Sequence, residues 1–162
     1  MIESITDIAT ADGRMDTFVC HPEQGGPFPS VFVLMDIWGL REELFDIARK
    51  IAVTGYHCMV PNFWYRQGRV RFEFRDARDR MLSLDQIPDE AREAMRRQMA
   101  LTSDEMAMAD VKAALDFLAG RSCTRIGTTA SADRGVNAFA QARTLLSPDA
   151  PDTAQRETPG LF

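Results

Sequence analysis

The chain has 162 residues and a formal net charge of −5, which argues against a nucleic-acid binder working through a general basic field. Hydrophobic residues make up 45% and charged residues 27%, the balance of one ordinary domain with enough length for a real core. No apolar run has the length of a membrane span, and Met1-Ile2-Glu3-Ser4 lacks the charged-then-apolar pattern of a secretory signal, so a cytoplasmic location without membrane partners is expected.

In chain order, Ile2 to Ile8 and Arg14 to Cys20 read as two short strands around Ala11-Asp12-Gly13, whose Asp-Gly pair signals a tight turn. Pro22, Gly25, Gly26, Pro27 and Pro29 make a loop. The run from Val31 to Met35 is apolar without a break, which suits a strand buried on both faces, and Asp36 closes it. Arg41 to Thr54 reads as a helix with Leu44, Ala48 and Ile51 on one stripe and Gly55 as its stop. His57 to Val60 is a strand closed by Pro61. This strand–helix–strand unit favours a parallel pair with a right-handed crossover.

Residues 66–100 are an excursion. Val70, Phe72 and Phe74 alternate with charged residues, as in a half-buried strand, and Pro88 starts a polar helix through about Ala100. Thr102 and Glu105 have capping-box spacing for a longer helix carrying Met108, Val111, Leu115 and Leu118 and ending at Gly120. Arg125 to Thr129 is a further strand. Beyond it, 130–146 reads as a weak helix and 147–162, rich in proline and acid, as a disordered tail.

The three cysteines, Cys20, Cys58 and Cys123, form no disulfide framework, and with His21 and His57 they have no metal-ligand spacing. No metal or cofactor is expected. Gly25-Gly26 lies in a proline-rich turn and no phosphate-cradling glycine loop occurs. Met99, Met106 and Met108 read as helix core rather than a peptide groove.

Asp36 is the first site candidate, because ligands in open α/β sheets gather beyond the carboxyl ends of strands. The alternative is an ordinary loop carboxylate. Arg66, Arg69, Arg71, Arg75, Arg78 and Arg80 offer either a clamp for a carboxylate or a solvated face neutralised by Glu73, Asp76 and Asp79. Trp64 and Tyr65 read either as a pocket wall or as packing.

Three blocks together resemble the dienelactone hydrolase family: Met35-Asp36-Ile37-Trp38-Gly39-Leu40, then Gly55-Tyr56 with Val60-Pro61-Asn62-Phe63-Trp64-Tyr65-Arg66, then Arg125-Ile126-Gly127-Thr128-Thr129. The resemblance covers roughly residues 10–129, the amino-terminal half of such enzymes. It implies a partial α/β-hydrolase fold: a mostly parallel sheet in the order 1-2-4-3-5, flanked by helices, with the carboxy-terminal half missing. It implies hydrolysis of small-molecule lactones and carboxylic esters through a nucleophile–His–Asp triad. Asp36 then matches the acid near the nucleophile, where the family more often has glutamate, and the Ile37 N–H matches an oxyanion donor. Tyr65 and Arg66 match positions bordering the substrate pocket.

The nucleophile is where the match departs. The family's elbow has the form Gly-aromatic-Cys/Ser-x-Gly-Gly, because the nucleophile sits on a strained strand-to-helix turn. Here the stretch reads Ala130-Ser131-Ala132-Asp133-Arg134-Gly135, with Ala132 at the nucleophile position, and no histidine follows His57. From Ala130 onward there is no lysine, isoleucine, methionine, tyrosine or cysteine. The expectation is a truncated or frameshifted, inactive form, with the frame departing near codon 129. The competing reading is a divergent pseudoenzyme that binds small carboxylates or a partner chain. An unpaired sheet edge at 125–129 would favour self-association.

Overall fold

A computed structural model describes residues 1–119 and the strand 126–130. Five strands form one sheet: β1 (Ile2–Thr10), β2 (Gly13–His21), β3 (Ser30–Leu34), β4 (His57–Pro61) and β5 (Ile126–Ala130). Their order is β1-β2-β4-β3-β5, the expected one. The sheet is mixed, however. β3 runs parallel to β4 and β5, whereas β2 is antiparallel to both β1 and β4. Describing it as mostly parallel understates the hairpin side. A two-residue connection can only reverse the chain, so Ala11-Asp12 makes β1 and β2 antiparallel. The helical crossover from β3 to β4 makes that pair parallel.

Three α-helices accompany the sheet: α1 (Glu42–Ala52), α2 (Asp89–Ala100) and α3 (Asp104–Ala119). In α1 the spacing of Leu44, Ala48 and Ala52 puts three fully buried side chains on one stripe against β2, β4 and β3. Glu42 and Glu43 in its first turn and Arg49 and Lys50 in its last complement the helix dipole. Six consecutive β2 residues, Met15 to Cys20, are buried, so this strand is covered on both faces. α3 packs against β1 and buries Val111, Ala114 and Leu118.

Two local expectations are corrected. Residues 70–74 form no strand; they run as irregular chain with one isolated bridge between Arg75 and Met81. Phe72 satisfies the apolar alternation by packing edge-on against Trp64, with ring centroids 5.7 Å apart, and needs no neighbouring strand. The cap of α3 is Ser103 rather than Thr102: the Met106 N–H donates to Ser103 Oγ at 3.2 Å. Thr102 Oγ1 is buried with no hydrogen-bond partner among the described residues. Ala130, the expected start of a weak helix over 130–146, instead ends β5; the rest of that segment, the tail over 147–162 and the helix stop at Gly120 lie outside the described residues.

These caps separate by mutation. Ser103→Ala is expected to destabilise the fold by about 1 kcal/mol, while Thr102→Val is neutral or stabilising because it removes an unsatisfied buried hydroxyl. Urea melts of the two variants check this, and a larger loss for Thr102→Val would reassign the cap.

Candidate functional site

The chain leaves β3 at Leu34 and turns sharply over 36–39, where the Gly39 N–H donates to the Asp36 carbonyl at 3.0 Å. Asp36 lies two residues past the strand, at the carboxyl edge of the parallel β3–β4 pair. Its short side chain folds back on its own turn, accepting from the Trp38 N–H at 2.9 Å. Arg41, the residue before α1, grips the same carboxylate with both terminal nitrogens, Nη1 to Oδ1 at 2.6 Å and Nη2 to Oδ2 at 2.8 Å. Both side chains are nearly buried, so this is a strong, charge-assisted and directional contact. The charges continue outward: Arg41 faces Glu43 at 3.7 Å, and Arg75 Nη2 donates to Glu43 Oε1 at 2.7 Å. Ile37 and Trp38 are half-buried beside this pair.

Gly39 is required here. Its φ is +71°, and a Cβ on it would stand 2.7 Å from Trp64 Cζ3. Trp64 therefore closes down on the Asp36 turn and is itself buried, which makes it packing as well as wall. The loop after β4 is fixed by a second polar unit. Asn62 Nδ2 donates to Asp16 Oδ1 at 2.8 Å, and Asn62 Oδ1 accepts from the Trp64 N–H at 3.0 Å. Arg71 Nη2 reaches Asp16 Oδ2 at 3.0 Å, and Asp16 and Asn62 are buried.

Tyr65 and Arg66 come together with a residue that the sequence reading passed over. Arg66 holds Asp110 of α3 bidentately, Nη1 to Oδ2 at 2.7 Å and Nη2 to Oδ1 at 2.9 Å, while its Nε donates to Asp12 in the β1–β2 turn at 2.7 Å. Tyr65 donates its hydroxyl to Asp110 Oδ1 at 3.0 Å and meets Thr10 Oγ1 at 2.6 Å. The Arg66 guanidinium stacks over the Tyr65 ring, 4.5 Å from its centroid. Burial pushes the Asp110 carboxyl above its usual range, although Arg66 opposes the shift. Burial also raises the Tyr65 phenol, offset by the Thr10 hydroxyl. Burial works against the charge on Arg66, but Asp110 and Asp12 more than restore it.

The arginine segment is thus neither a free clamp nor merely a solvated face. Arg80 pairs locally with Asp76, but Arg66, Arg69, Arg71 and Arg75 reach Asp110, Asp7, Asp16 and Glu43 on other elements. One signal was available: an aspartate at position 110, inside the apolar stripe of α3, has to find a buried cation.

The two histidines lie elsewhere. His57 pairs in register with Ser30 at the start of β3, and its Nδ1 is 3.3 Å from Ser30 Oγ. His21, at the end of β2, stacks on His57 with ring centroids 5.5 Å apart. At about 3.3 Å of rise per strand residue, this pair is at least roughly 13 Å from the opposite end of β3. Asp36 follows that opposite end. Cys123, Ser131 and Ala132 lie outside the described residues.

The fold, the turn after β3 and the loop after β4 carry the three blocks noted above, and the family model for dienelactone hydrolases matches residues 15–130. The chain belongs to the dienelactone hydrolase family. A carboxymethylenebutenolidase-like protein of Methylorubrum extorquens is 28% identical over 120 residues, covering 74% of this chain and 36% of that protein. One of Escherichia coli K12 is 32% identical over 69 residues, covering 42% and 26%. Among solved structures, a dienelactone hydrolase-like protein of Klebsiella pneumoniae superimposes with a TM-score of 0.61 at 22% identity, covering 80% of this chain and 49% of that one. The dienelactone hydrolase of Anabaena variabilis gives 0.57 at 12% identity, covering 87% and 56%. These two establish the α/β-hydrolase fold. The chain spans about a third of the Methylorubrum relative and about half of the solved structures. No helix among the described residues is long and apolar enough to cross a membrane.

Two measurements test the site's construction. Arg66→Leu is expected to cost about 3 kcal/mol, because it strands a buried carboxylate. It also raises Asp110 further, so the folded variant holds that proton more tightly than the unfolded chain. Its deficit should therefore be greatest at neutral pH and shrink as pH falls toward about 4; a deficit that does not change with pH would remove Asp110 from the account. Gly39→Ala is expected to cost about 1–3 kcal/mol through backbone strain and to displace Trp64, read as a change in its fluorescence.

Proposed function

We propose that these 162 residues are the oxyanion-side half of a lactone or carboxylic-ester hydrolase, and that on their own they do not turn esters over. In this reading the Asp36 turn forms one wall of the substrate site. The Ile37 N–H is the donor aimed at the carbonyl oxygen, where fixed dipoles meet the charge that develops on attack. Asp36 is the acid beside the nucleophile position, and Tyr65 and Arg66 border the site from the loop after β4.

The observation that carries the proposal is the stacking of His21 on His57 at the amino edge of the strands. Ester hydrolysis by a nucleophilic side chain needs a base within hydrogen-bond reach of that nucleophile. Both imidazoles of this sequence stand at the edge opposite Asp36. Ala132 at the elbow position has no nucleophilic atom. The Asp36–Arg41 contact adds to this: it engages both carboxylate oxygens, so Asp36 as placed serves the loop's architecture. The cytoplasmic location and the ability to self-associate through the sheet edge belong to the same proposal.

The reading is tested by assaying the purified chain with nitrophenyl esters and with an unsaturated lactone. Hydrolysis is expected at the buffer rate, unchanged in Ser131→Ala. Turnover above buffer that disappears in Ser131→Ala, or a covalent adduct of an organophosphonate at Ser131, would overturn it. A saturable thermal shift with small unsaturated acids, without turnover, would favour a binding module instead.

A further inference from the structure

The cysteines look scattered in sequence, but two of them meet in space. Cys20 of β2 and Cys58 of β4 are direct partners in the antiparallel β2–β4 pairing. Directly opposed residues in such a pair have Cα atoms about 4.5–5.5 Å apart, within the span of about 4.4–6.8 Å that a disulfide requires. Both are free thiols and fully buried. We propose that Cys20 and Cys58 form a redox-reactive dithiol that a small peroxide closes into a disulfide between β2 and β4.

Two small buried residues can also be plain core filling. Several features distinguish this pair. The same register row continues outward from Cys20 to Glu3 on the edge strand β1. Arg49 of α1 reaches over that edge, its Nε donating to Glu3 Oε1 at 2.9 Å, so a guanidinium is anchored on the β1 residue that pairs with Cys20. The neighbouring Cys58 thiol brings the Cys20 thiol below its ordinary range, against burial and the Glu3 charge and with the help of Arg49. The Cys58 thiol is pushed up by the neighbouring Cys20 sulfur and by burial. β1 is an edge strand, so a single strand lies between β2 and that edge of the sheet.

The chemistry balances as two steps. Cys20 gives up its proton, the thiolate attacks one oxygen of hydrogen peroxide, the O–O bond breaks, and Cys20 becomes a sulfenic acid as the leaving hydroxide takes up that proton to form water. The Cys58 sulfur then attacks the Cys20 sulfur, the S–OH bond breaks, and the thiol proton departs with the hydroxyl as water. The two sulfurs give up two electrons, and one peroxide becomes two waters.

The full chain, reduced and desalted, is treated with hydrogen peroxide, quenched in acid, denatured, alkylated with N-ethylmaleimide and weighed intact, with tryptic mapping. Two of the three thiols should become unreactive together with loss of two hydrogens. A linked peptide should join Cys20 to Cys58, and dithiothreitol should restore both thiols. Cys123→Ser keeps the pair and should behave identically, while Cys58→Ser should stop at a single oxidised sulfur. The oxidised chain should also melt at a higher temperature, since the link restrains the unfolded state. Retention of all three thiols, a disulfide that involves Cys123, or sulfur oxyacids without a linked peptide would overturn the proposal. So would the same Cys20–Cys58 yield from chain oxidised in denaturant, because the folded register would then have no role.

Discussion

The buried pair between Arg66 and Asp110 is the contact on which the carboxyl edge of the sheet depends. A single guanidinium joins three elements: the turn between β1 and β2 through Asp12, the loop leaving β4 on which it stands, and α3 through Asp110. Tyr65 and Thr10 complete the set. Removing two such charges from water is costly, and only bidentate geometry with further hydrogen bonds offsets the cost. The arrangement therefore holds in one register or not at all. It ties α3 to the hairpin and to the loop leaving β4.

The Asp36 turn shows the same economy of means. Its carboxylate caps its own turn at the Trp38 N–H and receives both nitrogens of Arg41. An aspartate is short enough to close this local ring. A glutamate, the commoner residue at this position by family resemblance, would extend one methylene further toward the space beyond β3. Position 36 and position 41 thus make a matched choice, an anion that stays home and a cation that keeps it there. The proposed absence of hydrolysis and the geometry of this turn are consistent with each other, since nothing in the loop as built requires a nucleophile next to it.

A family resemblance over half a domain leaves an unusual distribution of finished and unfinished parts. The hairpin, the strand–helix–strand crossover and the loops at the carboxyl edge are closed by buried polar contacts. The parallel side of the sheet extends to β5, which pairs with β3 along five residues. In the function proposed above, this half supplies the walls and one backbone donor of a site and does not supply the group that attacks.

Much of the fold was legible from residue order alone. The Asp-Gly turn, the unbroken apolar run of β3 and the stripe of α1 follow from local rules of turn chemistry and side-chain period, while the strand order was implied by the family resemblance. The position of Asp36 just past a buried strand was legible for the same reason. What required the tertiary structure was every pairing between distant charges and thiols. Asp110 with Arg66, Asp16 with Asn62 and Arg71, Cys20 with Cys58, and His21 with His57 are separated by 36 to 55 residues. Local periodicity places a residue on a face, but it does not say which residue stands opposite. Partners are chosen by register and by the demand that each buried charge find a counterion, and both are properties of the packed molecule.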